Sequence, residues 1–232
     1  FKQKTAYEIP LRLVGSEMCI RDRYIADKLI GEYQKGTACV ISQDSFYKDL
    51  SHLSFDARGN QNFDEPSSID FELFIQVVDT LYKGKCVKIP IYDFSQHIRT
   101  SGFQRIKPKP VIILDGTLLF THPKLIDLMD LKVYVDAPDE VRLSRRIKRD
   151  VGARGRTHDS IIKQYSNSVR PMFDKHIAPN IKYADIVIVS HRNKNISIAL
   201  IKHFTSLEAT FPTTPLTVVS AVVSPTAPVV VL

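Results

Sequence analysis

Two aspartates each follow a run of apolar residues, and together they could support phosphate chemistry. Asp44 follows the run at 37–41, and Asp115 closes the unbroken apolar run at 111–114. Such runs are typical of parallel strands that are buried on both faces, and open α/β sheets bind their ligands at the carboxyl ends of these strands. We therefore expect both carboxylates at one edge, where Asp44 can act as a base and both can lie near magnesium.

A strongly basic segment follows the second aspartate along the chain. Residues 141–156 contain seven basic residues and one acid, which gives this segment +6 of the chain's net charge of +7. Arginines that close over a site neutralise the charge that spreads over a transferred phosphoryl group. Two other interpretations stay open, a solvated helix face and an RNA-binding patch, although stacking aromatics are not interleaved with these arginines. Each aspartate alone could equally cap the helix that follows its strand.

Strands alternate with helices along the chain, which predicts an α/β protein with a doubly wound parallel sheet. Besides the two aspartate strands, strands are predicted at 85–94, 131–135 and 185–189, and helices at 24–33, 70–82, 123–129, 139–150, 158–172 and 196–204. Asp70 is the expected N-cap of its helix and Gly84 the expected stop. Pro90 places its strand near an edge. Loops are expected at 51–62 and 92–97, the second suited to a flat ligand, and Gly152 and Gly155 predict a mobile arginine loop.

The composition is that of a soluble globular protein. With 232 residues, of which 44% are apolar and 25% charged, the chain can bury a full core as one domain. Its three cysteines, Cys19, Cys39 and Cys86, lack the spacing of a zinc site or a disulfide framework. No apolar segment typical of a secretory signal lies near the first residue. We therefore expect a cytoplasmic protein with reduced thiols.

The two ends of the chain differ in character from the part between them. Residues 1–23 resemble translated sequencing-adapter readthrough, so we expect a non-native or disordered leader before a domain at 24–206. Residues 207–232 shift to Thr, Pro, Val, Ser and Ala and are expected to be a disordered tail. Because Pro225 and Pro228 interrupt the apolar part of this tail, we expect no membrane anchor.

From about Tyr24 to Phe204 the chain resembles the uridine kinases, also called uridine-cytidine kinases, of the P-loop kinase superfamily. The matching strings are SQDSFY at 42–47, NFDEP at 62–66, PIYDFSQHIR at 90–99, LDGTL at 114–118, RLSRRIKRD at 142–150, RGR at 154–156 and KYAD at 182–185. The resemblance implies the P-loop kinase fold with a small nucleoside-binding flap and an arginine-rich lid. It implies transfer of the ATP γ-phosphate to uridine or cytidine with Mg²⁺, a homotetramer, and no nucleic-acid or membrane partner.

The resemblance also implies roles for particular residues around the nucleoside. Asp44 would be the general base for the 5′-hydroxyl, and Asp64 and Arg146 would hold the ribose hydroxyls. The remaining nucleoside-side residues would be Tyr92 and His97 at the pyrimidine edge, Phe63 beside them, and Arg156 and Gln164. His97 taken alone is more typical of a structural histidine than of a ligand-binding one.

On the phosphate side, the resemblance implies a metal site, a lid and an adenine contact. Asp44 and Asp115 would lie near magnesium, and Asp115 stands where the family usually carries Glu. The shorter acid can still reach the metal through water. Arg149, Arg154 and Arg156 would belong to the lid, and Asn193 would contact the adenine of ATP.

The glycine-rich phosphate loop that this family requires, GxxxxGK[ST], is missing before the first predicted helix. Its amides and lysine cradle the ATP phosphates, and its hydroxyl binds magnesium. Counting back from Ile25, Asp22 fills the lysine position and Arg23 the hydroxyl position. An acid there repels phosphate, so we expect nucleoside binding to survive in part and phosphoryl transfer to be impaired. The alternatives are a phosphoribulokinase-like or pantothenate kinase-like enzyme, a non-catalytic nucleoside-binding subunit, and an RNA-binding protein.

Overall fold

A computed structural model describes residues 38–154, 156–189 and 217–223 of the chain. The helices are α1 (Phe55–Gly59), α2 (Phe71–Tyr82), α3 (Pro123–Asp127), α4 (Asp139–Arg154), α5 (His158–Gln164) and α6 (Arg170–His176). The strands are β1 (Ala38–Ser42), β2 (Val87–Asp93), β3 (Ile98–Ile106), β4 (Val111–Gly116), β5 (Leu131–Asp136), β6 (Ile186–Val189) and β7 (Thr217–Val223). The predicted helices at 24–33 and 196–204 and the leader at 1–23 lie outside the described residues.

Within the described residues, five parallel strands form the main sheet, in the order β1-β4-β7-β5-β6. The predicted α/β class is therefore confirmed, as are four of the predicted strands. Every residue of β4 is buried, because helices and turns cover both faces of a parallel sheet and the sequence of such a strand is apolar throughout. This burial agrees with the prediction of a parallel strand that is buried on both faces and ends at Asp115.

Strand β7 lies between β4 and β5, where it pairs with both in parallel register. The expectation of a disordered tail is therefore wrong for Thr217–Val223. The sequence TVVSAVV is rich in β-branched residues, which favour strands. The backbone of β4 and of β5 also needs hydrogen-bond partners on the sides that face each other. Composition alone indicated a tail because the stabilising partners of this segment are more than 80 residues away along the chain.

Helix α2 is positioned as the sequence predicts. The carboxylate of Asp70 accepts a hydrogen bond from Leu73 N at 3.1 Å, which makes it the N-cap. The apolar stripe of the helix is buried at Phe71, Phe74, Val77, Val78 and Leu81. Gly84 follows the helix with a φ of +72°, a conformation that glycine adopts without strain. Helix α2 thus packs its predicted face against the core.

The strand predicted near a sheet edge at 85–94 instead forms a separate two-stranded antiparallel hairpin, β2 with β3. Strand β3 was not predicted. Most of its side chains are exposed, so its sequence lacks the alternation of apolar and polar residues that indicates a half-buried strand. The residues predicted as a ligand loop at 92–97 divide between the end of β2 and the turn of this hairpin.

Three other boundaries differ from prediction. Helix α4 continues through Gly152 to Arg154, so the predicted break there is wrong, and helical pairs such as Arg146 with Asp150 support this part of the helix. The polar stretch at 51–62 contains α1, which Ser54 caps. Residues 158–176 are helical throughout, with a wider turn at Tyr165–Val169, and they run past the predicted end at 172.

Candidate functional site

Asp44 lies in a single helical turn, Gln43–Phe46, directly after β1. The hydroxyl of Ser42 caps this turn by accepting a hydrogen bond from Asp44 N at 3.4 Å. Ser42 is the register partner of Asp115 across the β1-β4 pair. The two aspartates therefore lie at the same carboxyl edge of the sheet, as the sequence predicts.

Gln43 and Gly116 hold these two strand ends together. Gln43 is fully buried, and its amide oxygen accepts a hydrogen bond from Leu118 N at 2.8 Å. A Cβ atom on Gly116 would lie 2.4 Å from Cβ of Gln43, a separation that side chains do not adopt. Sequence analysis missed Gln43, although the Asp-Gly at the end of a buried strand signals a close approach of this kind.

Four aromatic rings form a cluster beside the Asp44 turn. Tyr47 contacts Phe63 edge-on at 5.5 Å between ring centroids and Tyr92 at 5.4 Å. Phe63 stacks on His97 at 4.9 Å, with 20° between the ring planes. The structure thus brings together the predicted residues Phe63, Tyr92 and His97. It adds Tyr47, the last residue of the SQDSFY string, which had no predicted role.

Local contacts position the turn that carries His97. His97 has a φ of +55°, which is uncommon for a residue with a side chain. Arg58, in α1, donates from Nη1 to the carbonyl of Gln96 at 2.6 Å and from Nε to the carbonyl of Leu53 at 3.0 Å. Burial raises the pKa of Tyr92 well above its usual range, so its phenol stays neutral and can act as a hydrogen-bond donor.

A buried arginine cluster surrounds Asp150, which is fully buried in α4. Its carboxylate accepts a hydrogen bond from Arg149 Nε at 2.5 Å, and Arg146 Nε and Arg156 Nη1 lie 3.8 Å and 3.6 Å from it. The amide oxygen of Gln164 accepts hydrogen bonds from Arg156 Nη1 at 2.5 Å and from Arg146 Nη2 at 3.3 Å. The four predicted residues therefore lie together around an acid that sequence analysis missed.

Burial also tests the interpretation of the basic segment as a solvated helix face. Arg142, Arg146 and Arg149 are each less than a tenth exposed, so the solvated helix face is wrong for these three. Arg142 lies with its guanidinium carbon 3.5 Å from the centre of the Phe173 ring and donates to Asp139 at 2.8 Å. It therefore joins α4 to α6 by a cation–π contact.

Asp64 connects the aromatic cluster with the arginines. The preceding residue, Phe63, belongs to the aromatic cluster. The backbone N–H of Asp64 donates a hydrogen bond to Asn62 Oδ1 at 3.2 Å. Burial raises the pKa of Asp64, and the nearby charges of Arg146 and Arg149 oppose that rise. The predicted pair of Asp64 and Arg146 is thus close enough to interact electrostatically.

The donor atoms at the sheet edge fit a magnesium ion. Asp44 and Asp115 offer carboxylate oxygens, which are the ligands that this hard cation prefers. Within the described residues no group of three or more His, Cys, Asp or Glu side chains could hold a metal by itself. Magnesium commonly takes its other ligands from water and substrate phosphates.

Of the remaining predicted residues, Arg154 ends α4 but its side chain is outside the described part of the structure, as is Asn193.

These features define a class of protein by its fold, that of the P-loop kinases. Phosphoribulokinase from Rhodobacter spheroides superposes with a TM-score of 0.55 at 15% identity, covering 75% of this chain and 67% of that one. D-glycerate 3-kinase from Cryptococcus neoformans var. grubii gives a TM-score of 0.51 at 16% identity, covering 67% of this chain and 73% of that one. At such identities the likeness concerns the fold.

Sequence comparison identifies the family. The model of the Phosphoribulokinase / Uridine kinase family matches residues 23–197, and the chain belongs to that family. The uridine kinase of Vibrio parahaemolyticus is 43% identical over 173 residues, covering 75% of this chain and 80% of that protein. The uridine kinase of Streptococcus thermophilus is 41% identical over 177 residues, covering 76% and 84%. None of the helices in the described ranges has the length and apolar character needed to cross a bilayer.

Proposed function

We propose that this chain is a uridine/cytidine kinase that transfers the ATP γ-phosphate to the nucleoside 5′-hydroxyl, giving UMP or CMP in cytoplasmic pyrimidine salvage. The observation that carries the proposal is the aromatic cluster beside the Asp44 turn: Tyr47, three residues after Asp44, contacts both Phe63 and Tyr92. A planar base next to a carboxylate is the geometry that a nucleoside 5′-hydroxyl requires. The identity to uridine kinases supports the same substrate class.

In this proposal, Asp44 accepts the proton of the 5′-hydroxyl as O5′ forms its bond to the γ-phosphorus. The bond from that phosphorus to the β,γ-bridging oxygen breaks, and ADP leaves with the electron pair. Asp64 and Arg146 hold the 2′ and 3′ hydroxyls. Tyr92 and His97 read the pyrimidine edge, and Phe63 supports the stacked His97 ring. A deoxyribose would leave the Asp64 and Arg146 groups incompletely paired, which lowers its affinity.

Magnesium ATP is the proposed phosphate donor. Asp44 and Asp115 would hold the ion, which when bound neutralises charge on the transferred phosphoryl group. Arg149, Arg154 and Arg156 form the proposed lid, with Arg156 and Gln164 also lining the nucleoside side, and Asn193 would meet the adenine. We further propose a homo-oligomer without nucleic-acid or membrane partners.

We infer that phosphoryl transfer by this chain is impaired. The 232 residues contain no GxxxxGK[ST] sequence. Without those amides and that lysine, the phosphates of ATP lose their main electrostatic partners. The proposed nucleoside contacts come from residues outside that loop, so nucleoside binding is expected to persist in part.

A substrate panel tests the proposal on the purified chain. Uridine, cytidine, ribulose 5-phosphate and pantothenate are each offered with magnesium ATP, and phosphate transfer and the melting temperature are measured. Uridine and cytidine should raise the melting temperature, because a ligand at 100 times its Kd stabilises the fold by about 2.7 kcal/mol, while turnover stays slow. Stabilisation by ribulose 5-phosphate or pantothenate alone would overturn the nucleoside assignment. Rapid turnover of uridine would overturn only the impairment.

A further inference from the structure

Arg99 lies on β3 of the hairpin, yet its side chain reaches the turn that carries Asp44. Its Nε donates to the carbonyl of Tyr47 at 2.7 Å, and its Nη2 donates to the carbonyl of Phe46 at 3.2 Å. These carbonyls belong to the second and third residues after Asp44. The guanidinium therefore uses two of its donors to bind the backbone next to the proposed base.

A third donor of Arg99 reaches the start of α2. Nη1 lies 3.0 Å from Asp70 Oδ2, while Asp70 Oδ1 caps the helix by accepting from Leu73 N. The N–H of Asp70 in turn donates to the carbonyl of Phe46 at 2.8 Å. The Arg99 and Asp70 side chains are only 19% and 29% exposed, so this pair is shielded from solvent more than a surface ion pair is.

Arg99 is also placed next to the base-reading side chains of the hairpin. It is the register partner of Tyr92 across β2 and β3, and its own N–H donates to Asp49 Oδ1 at 3.2 Å. The hairpin is a separate sheet from the one that carries Asp44. The distance from Tyr92 and His97 to Asp44 therefore depends on contacts that join the hairpin to the Asp44 turn and to the start of α2. The Arg99 side chain supplies three of these contacts.

We propose that Arg99 is a positioning residue that sets the base-reading hairpin at the correct distance from Asp44. The inference rests on the proposed function, since a nucleoside must bridge the two sheets to place its 5′ atom at the carboxylate. Arg99 contacts no reacting atom. Its effect comes from geometry, where a displacement of about 1 Å can cost roughly a hundredfold in reactivity.

The test measures how close the 5′ position of a bound nucleoside lies to Asp44, without requiring ATP. Two ligands are compared by calorimetry: 5′-amino-5′-deoxyuridine, whose ammonium group can pair with Asp44, and 5′-deoxyuridine, which has no 5′ donor. In the unaltered chain the dissociation constant of 5′-deoxyuridine should exceed that of 5′-amino-5′-deoxyuridine roughly tenfold or more, as for the loss of a charge-assisted hydrogen bond. In Asp44→Asn the ratio of the two constants should fall towards one.

Arg99→Gln should lower that ratio to about threefold or less, since the ammonium is then no longer aligned with Asp44. Arg99→Lys keeps the charge but loses the planar fork, so an intermediate ratio is expected. Asp70→Asn retains a helix cap and loses the ion pair with Arg99, which should also lower the ratio. Arg105→Gln is the matched control on the same strand, where Arg105 is exposed, and it should leave the ratio unchanged.

The outcomes separate this inference from the function on which it rests. Failure of the unaltered chain to bind uridine would overturn the proposed function. Normal uridine binding with an unchanged ratio in Arg99→Gln and Arg99→Lys would overturn the role of Arg99 alone, and a lowered melting temperature with that unchanged ratio would show a purely structural role. If Arg99→Gln does not fold, Arg99→Lys and Asp70→Asn decide the question by the same ratio.

Discussion

Gln43 and Gly116 lie so close that the space for a side chain at residue 116 is already filled. The Cβ, Oε1 and Cδ atoms of Gln43 lie 2.4 to 2.8 Å from where a Cβ of residue 116 would be. Gln43 is itself held by its hydrogen bond from Leu118 N. The contact joins the residue before Asp44 to the residue after Asp115, so it determines the separation of the two carboxylates.

Gly116→Ala should lower the free energy of unfolding by about 1–3 kcal/mol, because the added methyl group overpacks a buried contact. Chemical denaturation measures this loss. The matched control is Gly152→Ala, at a position in α4 with nothing within 4 Å, where alanine should stabilise the helix by about 0.5–1 kcal/mol. Equal effects of the two substitutions would contradict the close approach.

Removal of residues 217–232 should lower the melting temperature by about 10 °C or more. Strand β7 is hydrogen-bonded on both sides; each such bond contributes about 0.5–1.5 kcal/mol, and 1 kcal/mol shifts the midpoint by about 2–4 °C at this chain length. Removal of residues 224–232 alone serves as the control and should change the midpoint little. If both truncated chains melt alike, β7 does not stabilise the sheet.

Asp150→Asn should destabilise the fold by about 3 kcal/mol and weaken uridine binding about tenfold. Three arginines share the Asp150 carboxylate, and loss of its charge leaves buried cations uncompensated. The exposed Asp174 on α6 supplies the control Asp174→Asn, for which surface substitutions predict a change within about 0.5 kcal/mol. Denaturation and calorimetry on both variants check the two effects. Unchanged stability in Asp150→Asn would show that the cluster does not need the acid.

The raised pKa of Asp64 predicts a pH-dependent cost to stability. A carboxyl group whose folded pKa exceeds its unfolded value, about 3.9, binds its proton more tightly in the folded state. The contribution of the Asp64 carboxyl group to the free energy of unfolding is therefore fully present below about pH 4. It decreases as the pH rises through the pKa of the folded state. Asp64→Asn should then be more stable than the unaltered chain at pH 7, with a smaller difference at pH 4, measured by denaturation at each pH.

The Asp64→Asn substitution should also weaken uridine binding, since the proposed contact with the ribose is lost. A gain of stability with a loss of affinity is the expected signature of a functional carboxylate held in a buried site. Loss of both stability and affinity would instead indicate that Asp64 is a structural acid whose charge the nearby Arg146 and Arg149 require.

Local patterns in the sequence were sufficient to predict the elements that carry the site. The apolar runs that end at Asp44 and Asp115, the capped helix at 70–82 and the strands at 131–135 and 185–189 all depend on neighbouring residues, and the structure confirms them. The placement of both aspartates at one edge followed from the parallel sheet. Phe63, Tyr92 and His97 were identified through motif resemblance, and the structure brings them together; their roles in binding stay predictions.

Contacts between residues far apart in the sequence decided the rest. Asp150 became the centre of the arginine cluster because folding buried it among cations, and Arg99 reached the Asp44 turn only because the hairpin formed a second sheet. The insertion of β7 between β4 and β5 depends on backbone hydrogen bonds to strands more than 80 residues away. The sequence by itself determined which residues form strands and helices and which side chains can do chemistry. The tertiary structure decided which of them meet, because pairing, burial and charge compensation arise only when distant segments pack together.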